Sequence, residues 1–392
     1  MMWLSDFNLV LADRVVPNGS VRIENGMIAE IVAHPVAGGL NGAGMELFAG
    51  FIDMHGDMIE LEMEPRARVQ FPIEVALNHL DARLAAAGVT TAYAAVSFSR
   101  GVAESEQRSF AHTSDVIRAL HASKALCRVD HKIHARFDIT FDNAVEVLAK
   151  LLADGQVDLV SLMDHTPGQG QFRNIEIHVK NKAAQMAVSE AEARGFITTK
   201  IAERTRPAAE ILQNMVAVSD LCKKHGVALA SHDDDSAEKA GLMANLGAVI
   251  SEFPVTLAAA RAGGAKGMMT AMGAPNAMRG QSYSGNLSAR EAHAQGLLHI
   301  LAADYHPAAI LPAIKVLAKT DPDGLAGAAR LATVNPAHAL GLTDRGEIAV
   351  GKRADLIVVK DGSRVVCSYR AGEMIYASSV FDTLPVNKNV MA

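Results

Sequence analysis

The chain has 392 residues and a formal net charge of −6; 49% of it is hydrophobic and 5% aromatic. That apolar content excludes a disordered chain and suffices for a large core with a smaller companion, while the negative balance leaves no basic stripe for nucleic-acid phosphates. No uninterrupted apolar run approaches the length of a membrane span, and the opening Met1-Met2-Trp3-Leu4-Ser5-Asp6 lacks the basic region of a secretion signal. The three cysteines, Cys127, Cys222 and Cys367, are too far apart for a paired-cysteine zinc module and odd in number for a disulfide framework. The expectation is a cytoplasmic protein with reduced, buried thiols.

Residues 7–48 read as short strands, Phe7–Leu11, Gly19–Glu24 and Gly26–Val32, with Asn25-Gly26 as a hairpin signal. A similar pattern returns near the other end, in Gly346–Ile348, Ala354–Val359 and Val365–Cys367. Residues 1–49 and 345–392 are therefore expected to form one composite small β-sandwich domain, and residues 50–344 the larger unit.

Within that unit, eight apolar strand candidates alternate with Ala- and Leu-rich segments of helical spacing: Phe51–His55, Thr90–Phe98, Val129–Ile139, Leu159–Asp164, Val227–His232, Val249–Phe253, Gly267–Met272 and Leu298–Asp304. Eight strand–helix repeats predict an α/β fold, a (β/α)8 TIM-like barrel, with a doubly wound open sheet as the alternative. Ser288-Ala289-Arg290-Glu291 has capping-box spacing and predicts a helix start before the last strand.

In such a barrel, reactive groups gather at the carboxyl ends of the strands. Here those ends are polar repeatedly: His55 and Asp57 on the first, Asp138 on the third, Asp164-His165 on the fourth, His232-Asp233-Asp234-Asp235 on the fifth, Glu252 on the sixth and Asp304 on the last. So many imidazoles and carboxylates in one low-dielectric cleft repel each other unless a cation joins them. The expected metal ligands are His55, Asp57, Asp138, His165, His232, Glu252 and Asp304. Mixed nitrogen and oxygen donors suit zinc or manganese, and the number of carboxylates leaves room for two ions sharing an activated water. Asp138 and His165 compete for the bridging position, and Asp138 can instead pair with Arg136 or His134. Asp304 can bind metal and take a proton from the water, or can cap a helix near Pro307.

Two glycine-bearing loops, Gly168–Arg173 and Arg279–Asn286, combine exposed amides, hydroxyls and guanidinium groups suited to anions. With Arg66 close to His55 in sequence, they give Arg66, Arg173, Arg279, Ser284 and Asn286 as expected substrate-binding residues.

The segments Gly50–Asp57, Met163–Gln169, Ser251–Pro254 and Met272–Asn276, with Arg279-Gly280 and Ser284-Gly285-Asn286, resemble the amidohydrolase superfamily, in particular its phosphonate-metabolism diphosphatases. The resemblance runs from about Gly50 to Asp304. It implies a metal-dependent hydrolase acting on a small phosphorylated substrate, cleaving the 5-triphosphate of ribose 1-methylphosphonate 5-triphosphate to the 5-phosphate and diphosphate, with attack at the α-phosphorus and Asp304 as proton acceptor. One departure stands out: the wider superfamily commonly carries His-x-His on the first strand, whereas this chain carries His55-x-Asp57. A C–N amidohydrolase, a deacetylase or amidase, is the alternative, because the same site can attack a carbonyl. Neither a nucleic-acid nor a membrane partner is expected, and a homo-oligomer stays open.

Overall fold

A computed structural model describes residues 1–66, 69–98, 110–140, 144–282, 285–381 and 384. The strands are β1 (Met2–Val10), β2 (Val15–Glu24), β3 (Met27–Val32), β4 (Leu40–Asn41), β5 (Glu46–Ala49), β6 (Phe51–Gly56), β7 (Val89–Phe98), β8 (Asp130–Asp138), β9 (Leu159–Met163), β10 (Ala228–His232), β11 (Ile250–Glu252), β12 (Met269–Gly273), β13 (Ile300–Ala302), β14 (Leu356–Lys360), β15 (Arg364–Arg370) and β16 (Glu373–Ala377).

Strands β6 to β13 pair in parallel, each with the next in sequence. The barrel closes at its carboxyl end, where Asp304 N donates to His55 O (2.9 Å) and Asp57 N to Asp304 O (2.8 Å). All eight sequence-predicted strands form, with boundaries no more than two residues off. They read clearly because strands covered by helices on the outside and filled on the inside must be apolar on both faces. Inside the barrel, Met54, Tyr93, Leu159, Ala230, Ile250, Ala271, Ile300 and Ala302 fill the space below the polar strand ends. Outside, amphipathic helices cover it: the helix Ala208–His225 buries Met215, Val218, Ser219 and Cys222, and stops where Gly226 turns to φ 65°.

The terminal strands build a second sheet from both ends of the chain, in the order β16-β15-β14-β5-β1-β2-β3, with β4 also on β1. It encloses a core of its own that includes Phe7, Leu47, Val358 and Tyr369. Gly346–Ile348, expected as a strand, is not one: Gly346 takes φ 93°, outside the extended region. A Cβ there would lie 2.6 Å from Ala337 Cβ and 2.9 Å from Thr333 O. Gly346→Ala is therefore expected to cost about 1–3 kcal/mol, from strain and overpacking together, and a urea unfolding midpoint equal to the parent's would contradict this.

Ser288 precedes the helix Ala289–Ala294 as expected, but the capping box does not form. Asn276 Oδ1 accepts from Ala289 N (3.0 Å) and Ser288 Oγ donates to Gly280 O (3.1 Å), so a side chain from another segment has taken the capping role. A reciprocal capping box does open the helix Glu190–Arg204, between Ser189 and Glu192. The turn at Pro307–Ala309 is preceded by His306, which leaves Asp304 free of capping. None of the three cysteines is in a disulfide; Cys222 and Cys367 are buried and Cys127 is partly so. No helix among the described residues is long and apolar enough to cross a membrane.

Candidate metal centre and active site

Strand alternation sends every second side chain to the barrel mouth. Two groups of metal-type donors gather there: His55, His134 and Glu252 form one, and His165, His232 and Asp233 the other. In the first, His55 Nδ1 lies 3.3 Å and His134 Nε2 3.6 Å from Glu252 Oε1. In the second, His165 Nε2 lies 3.5 Å from Asp233 Oδ2 and His232 Nδ1 3.4 Å from Asp233 Oδ1. The His55 and His232 rings, with centroids 5.4 Å apart, connect the two groups.

Both His55 nitrogens, both Glu252 oxygens, His232 Nδ1 and Asp233 Oδ2 are buried without a hydrogen-bond partner. Such an atom ordinarily costs about 1–3 kcal/mol, so this concentration is what a cation-binding cluster looks like, and the residues fit a divalent ion with nitrogen and oxygen donors.

The electrostatics agree. Burial opposes a charge on His55, yet the Glu252 and Asp57 carboxylates outweigh it and lift the imidazole to about 10. Glu252, equally buried, is drawn down to about 2 by His134 and His55. Burial dominates at His134 and lowers it to about 3. Against burial, Arg136 and His55 hold Asp57 well below the usual carboxylate range, and His232 and His165 do the same for Asp233. Asp304 behaves oppositely: burial, helped by the Asp57 charge, pushes it up to about 6. Its backbone sits at φ 58°, a left-handed conformation rare outside glycine, as do Asp233 at 53° and Phe253 at 51°.

Several acidic residues support this centre from below. Asp53 Oδ1 accepts from Ala303 N (2.8 Å) and His55 N (3.2 Å), tying the first strand to the last. Burial pushes Asp53 up to about 6, so folding favours its protonated form and stability falls as pH rises from its ordinary value of 3.8 through about 6. Asp53→Asn keeps an acceptor for both amides and is expected to be at least as stable as the parent above pH about 6, losing that advantage below about 4. Asp53→Ala strands both amides, at about 1–3 kcal/mol each. Urea unfolding at the two pH values checks the pair; an Asn variant no better than the Ala variant near neutrality would contradict it.

The three aspartates after His232 divide their roles. Asp233 faces the imidazoles, Asp234 accepts from Ser231 Oγ (2.6 Å) and Ser251 Oγ (3.2 Å), and Asp235 accepts from Gly170 N (2.9 Å) to anchor the loop after β9. Asp164 accepts from Thr166 N (2.9 Å) and shapes that same loop.

Other sequence-predicted residues fall in different places. Asp138 is buried, accepts from Thr140 N (3.1 Å) and Oγ1 (2.7 Å), and pairs with Arg204 rather than with Arg136 or His134. The cleft at the barrel mouth, of ≈ 410 Å³, is lined by His55, Asp57, His232, Asp233 and Asp304 together with Gln171, Asn276, Arg279, Gln281 and Asn286. That volume admits a nucleotide-sized ligand. Arg279 and Asn286 are thus beside the centre, and Asn286 Nδ2 donates to Gln171 O (3.3 Å), joining the two glycine-bearing loops. Arg66 and Arg173 are exposed and do not line the cleft; Ser284 lies outside the described residues. His134 and Arg136 enter the site unannounced. Their signal was the alternation His134-x-Arg136-x-Asp138, which places three polar side chains on one face of β8.

A barrel with imidazoles and carboxylates at its carboxyl mouth, joined to a sheet built from both ends of the chain, defines a metal-dependent hydrolase architecture. The chain belongs to the amidohydrolase family, which residues 47–390 match. It is 35% identical over 363 residues to the alpha-D-ribose 1-methylphosphonate 5-triphosphate diphosphatase of Escherichia coli (strain K12), covering 91% of this chain and 94% of that one. Among solved structures it is similar to 5-methylcytosine deaminase from Klebsiella pneumoniae (TM-score 0.66, 16% identity, 96% of this chain and 98% of that one). It is also similar to N-acetyl-D-glucosamine-6-phosphate deacetylase from Mycobacterium smegmatis (TM-score 0.63, 15% identity, 95% and 99%). At those identities the structural likeness shows the fold alone.

Proposed function

We propose that this protein is a cytoplasmic, metal-dependent diphosphatase that hydrolyses α-D-ribose 1-methylphosphonate 5-triphosphate to the 5-phosphate and diphosphate, in phosphonate breakdown. The observation that carries the reading is the 35% identity, along nearly the whole of both chains, to a diphosphatase of that substrate. The cleft supports it: Arg136 and Arg279 both line it, beside groups that fit divalent cations, as a polyanion requires. The deacetylase and deaminase neighbours share only the fold, so a C–N substrate has less behind it.

Two divalent ions, zinc or manganese, fit the two donor groups, one at His55, His134 and Glu252 and the other at His165, His232 and Asp233, with Asp57 and Asp304 beside them. When bound, such ions acidify water and neutralise phosphoryl oxygens. The chain's own residues supply the rest. Asp304 takes a proton from the water that attacks the α-phosphorus; the new P–O bond forms as the α–β bridging bond breaks, and its electron pair leaves with diphosphate. A Cβ at Gly273 would lie 3.1 Å from Asp304 Oδ2, so that glycine keeps room beside the base. Arg279 and the polar loop residues Gln281 and Asn286 that line the cleft with it hold the β- and γ-phosphates.

The test is a diphosphate-release assay on the ribosyl methylphosphonate triphosphate, with chain reconstituted in zinc or in manganese. Release of diphosphate with the 5-phosphate left behind is expected. No release in either metal, or release of acetate or ammonia from amide or deaminase substrates instead, overturns the assignment.

A further inference from the structure

Arg136 lies on β8 between His134 and Asp138, with its side chain buried among acidic and imidazole groups. Its Nη1 donates to Asp57 Oδ1 (2.6 Å) and its Nη2 to His232 Nε2 (2.8 Å). A guanidinium has donors and no acceptor, so His232 Nε2 must be the acceptor in that bond. A neutral imidazole accepting at Nε2 carries its proton on Nδ1, and Asp233 Oδ1 lies 3.4 Å from that nitrogen. Nε2 is closed to an ion while Arg136 donates to it, and an ion at Nδ1 needs the ring proton moved to Nε2, where it would meet the guanidinium, so either way this histidine becomes a ligand only once Arg136 lets go. The same movement releases Asp57. His55, His134 and Glu252 take no hydrogen bond from Arg136; His134 Nε2 meets the Ser161 hydroxyl instead (2.9 Å), a neutral group that can rotate away, so no fixed cation contests the group they form.

We propose that Arg136 is a built-in counter-cation of the metal centre, pairing with Asp57 and His232 and competing with one of the two ions for His232. The inference rests on the two-ion reading above and adds an order to it: one ion binds without displacing a cation, the other at the cost of the Arg136 bonds. The anionic Asp57 then serves as the partner that makes a fixed guanidinium tolerable in a buried site.

The test uses the full chain stripped with a chelator, as the parent, Arg136→Met and Arg136→Lys. Zinc and manganese binding are measured by equilibrium dialysis with elemental analysis, and melting is followed without metal. Arg136→Met, similar in length but without donors, is expected to bind the weaker ion at least about tenfold tighter than the parent and to melt several degrees lower when metal-free. Arg136→Lys, a point charge that cannot span both acceptors, should fall between them. If Arg136→Met folds only with metal, the placeholder role is supported; if it does not fold at all, Arg136→Lys gives the answer by tighter or unchanged binding. Parent-like or weaker affinity for both ions in the variants that fold overturns this inference alone. A parent that binds no ion overturns both it and the two-ion reading.

Discussion

Asp304→Asn is expected to lower diphosphate release by about 10²–10⁴-fold while leaving metal content within reach of the parent's. The substitution keeps the size of the side chain and removes its capacity to take a proton. Asp304 suits that task by position: it ends the last barrel strand, its backbone is held between His55 and Asp57 by two hydrogen bonds, and it lines the cleft beside both donor groups. Its environment suits the task as well. Burial raises the carboxyl to about 6, so it is ionised near neutrality yet basic enough to accept a proton. The sign follows directly: a base acts when ionised, so kcat/KM of the parent should fall as pH drops through the range where Asp304 gains its proton, and the Asn variant should lose that limb. Steady-state release across pH, with metal measured on the same samples, checks both parts. Equal rates in the two proteins would remove Asp304 from this role.

Glu252→Gln should weaken binding at the first donor group by more than the 10–100-fold typical of losing a supporting partner, with activity falling in step. Glu252 lies within 3.3 Å of His55 and 3.6 Å of His134, and it is fully buried with neither oxygen hydrogen-bonded. The amide is nearly isosteric, so packing survives while the charge that draws a cation is lost. A second readout needs no metal. Glu252 is the largest of the influences that raise His55 to about 10, ahead of Asp57, so the His55 imidazole in the metal-free variant should titrate well below its parent value by NMR. Full metal content and an unmoved His55 would contradict the arrangement.

Much of this was legible in the residues. Apolar runs located all eight barrel strands, six of them ending in His, Asp or Glu, because a strand buried on both faces has few other ways to be written. His55-Gly56-Asp57 did mark the first delivery to the cleft. What escaped has identifiable causes. His134 and Arg136 are interior to β8, and attention to strand ends passes over polar residues two and four places earlier on the same face. Asp138 meets Arg204, a partner 66 residues away on the end of a helix, and no local pattern announces that pair. Arg66 and Arg173 sit in loops whose facing is decided by tertiary contacts, and both turned outward, whereas Arg279 turned to the cleft. Ser288 failed as a capping box because Asn276 reached the free amide first.

The central claim is that water attacks the α-phosphorus of a 5-triphosphate, and hydrolysis in ¹⁸O-labelled water followed by ³¹P NMR tests it most directly. The expected result is diphosphate free of label and an isotope-shifted resonance on the 5-phosphate of the ribosyl product. Label in diphosphate or in free orthophosphate, or a triphosphate left intact by the metal-loaded protein, would contradict it.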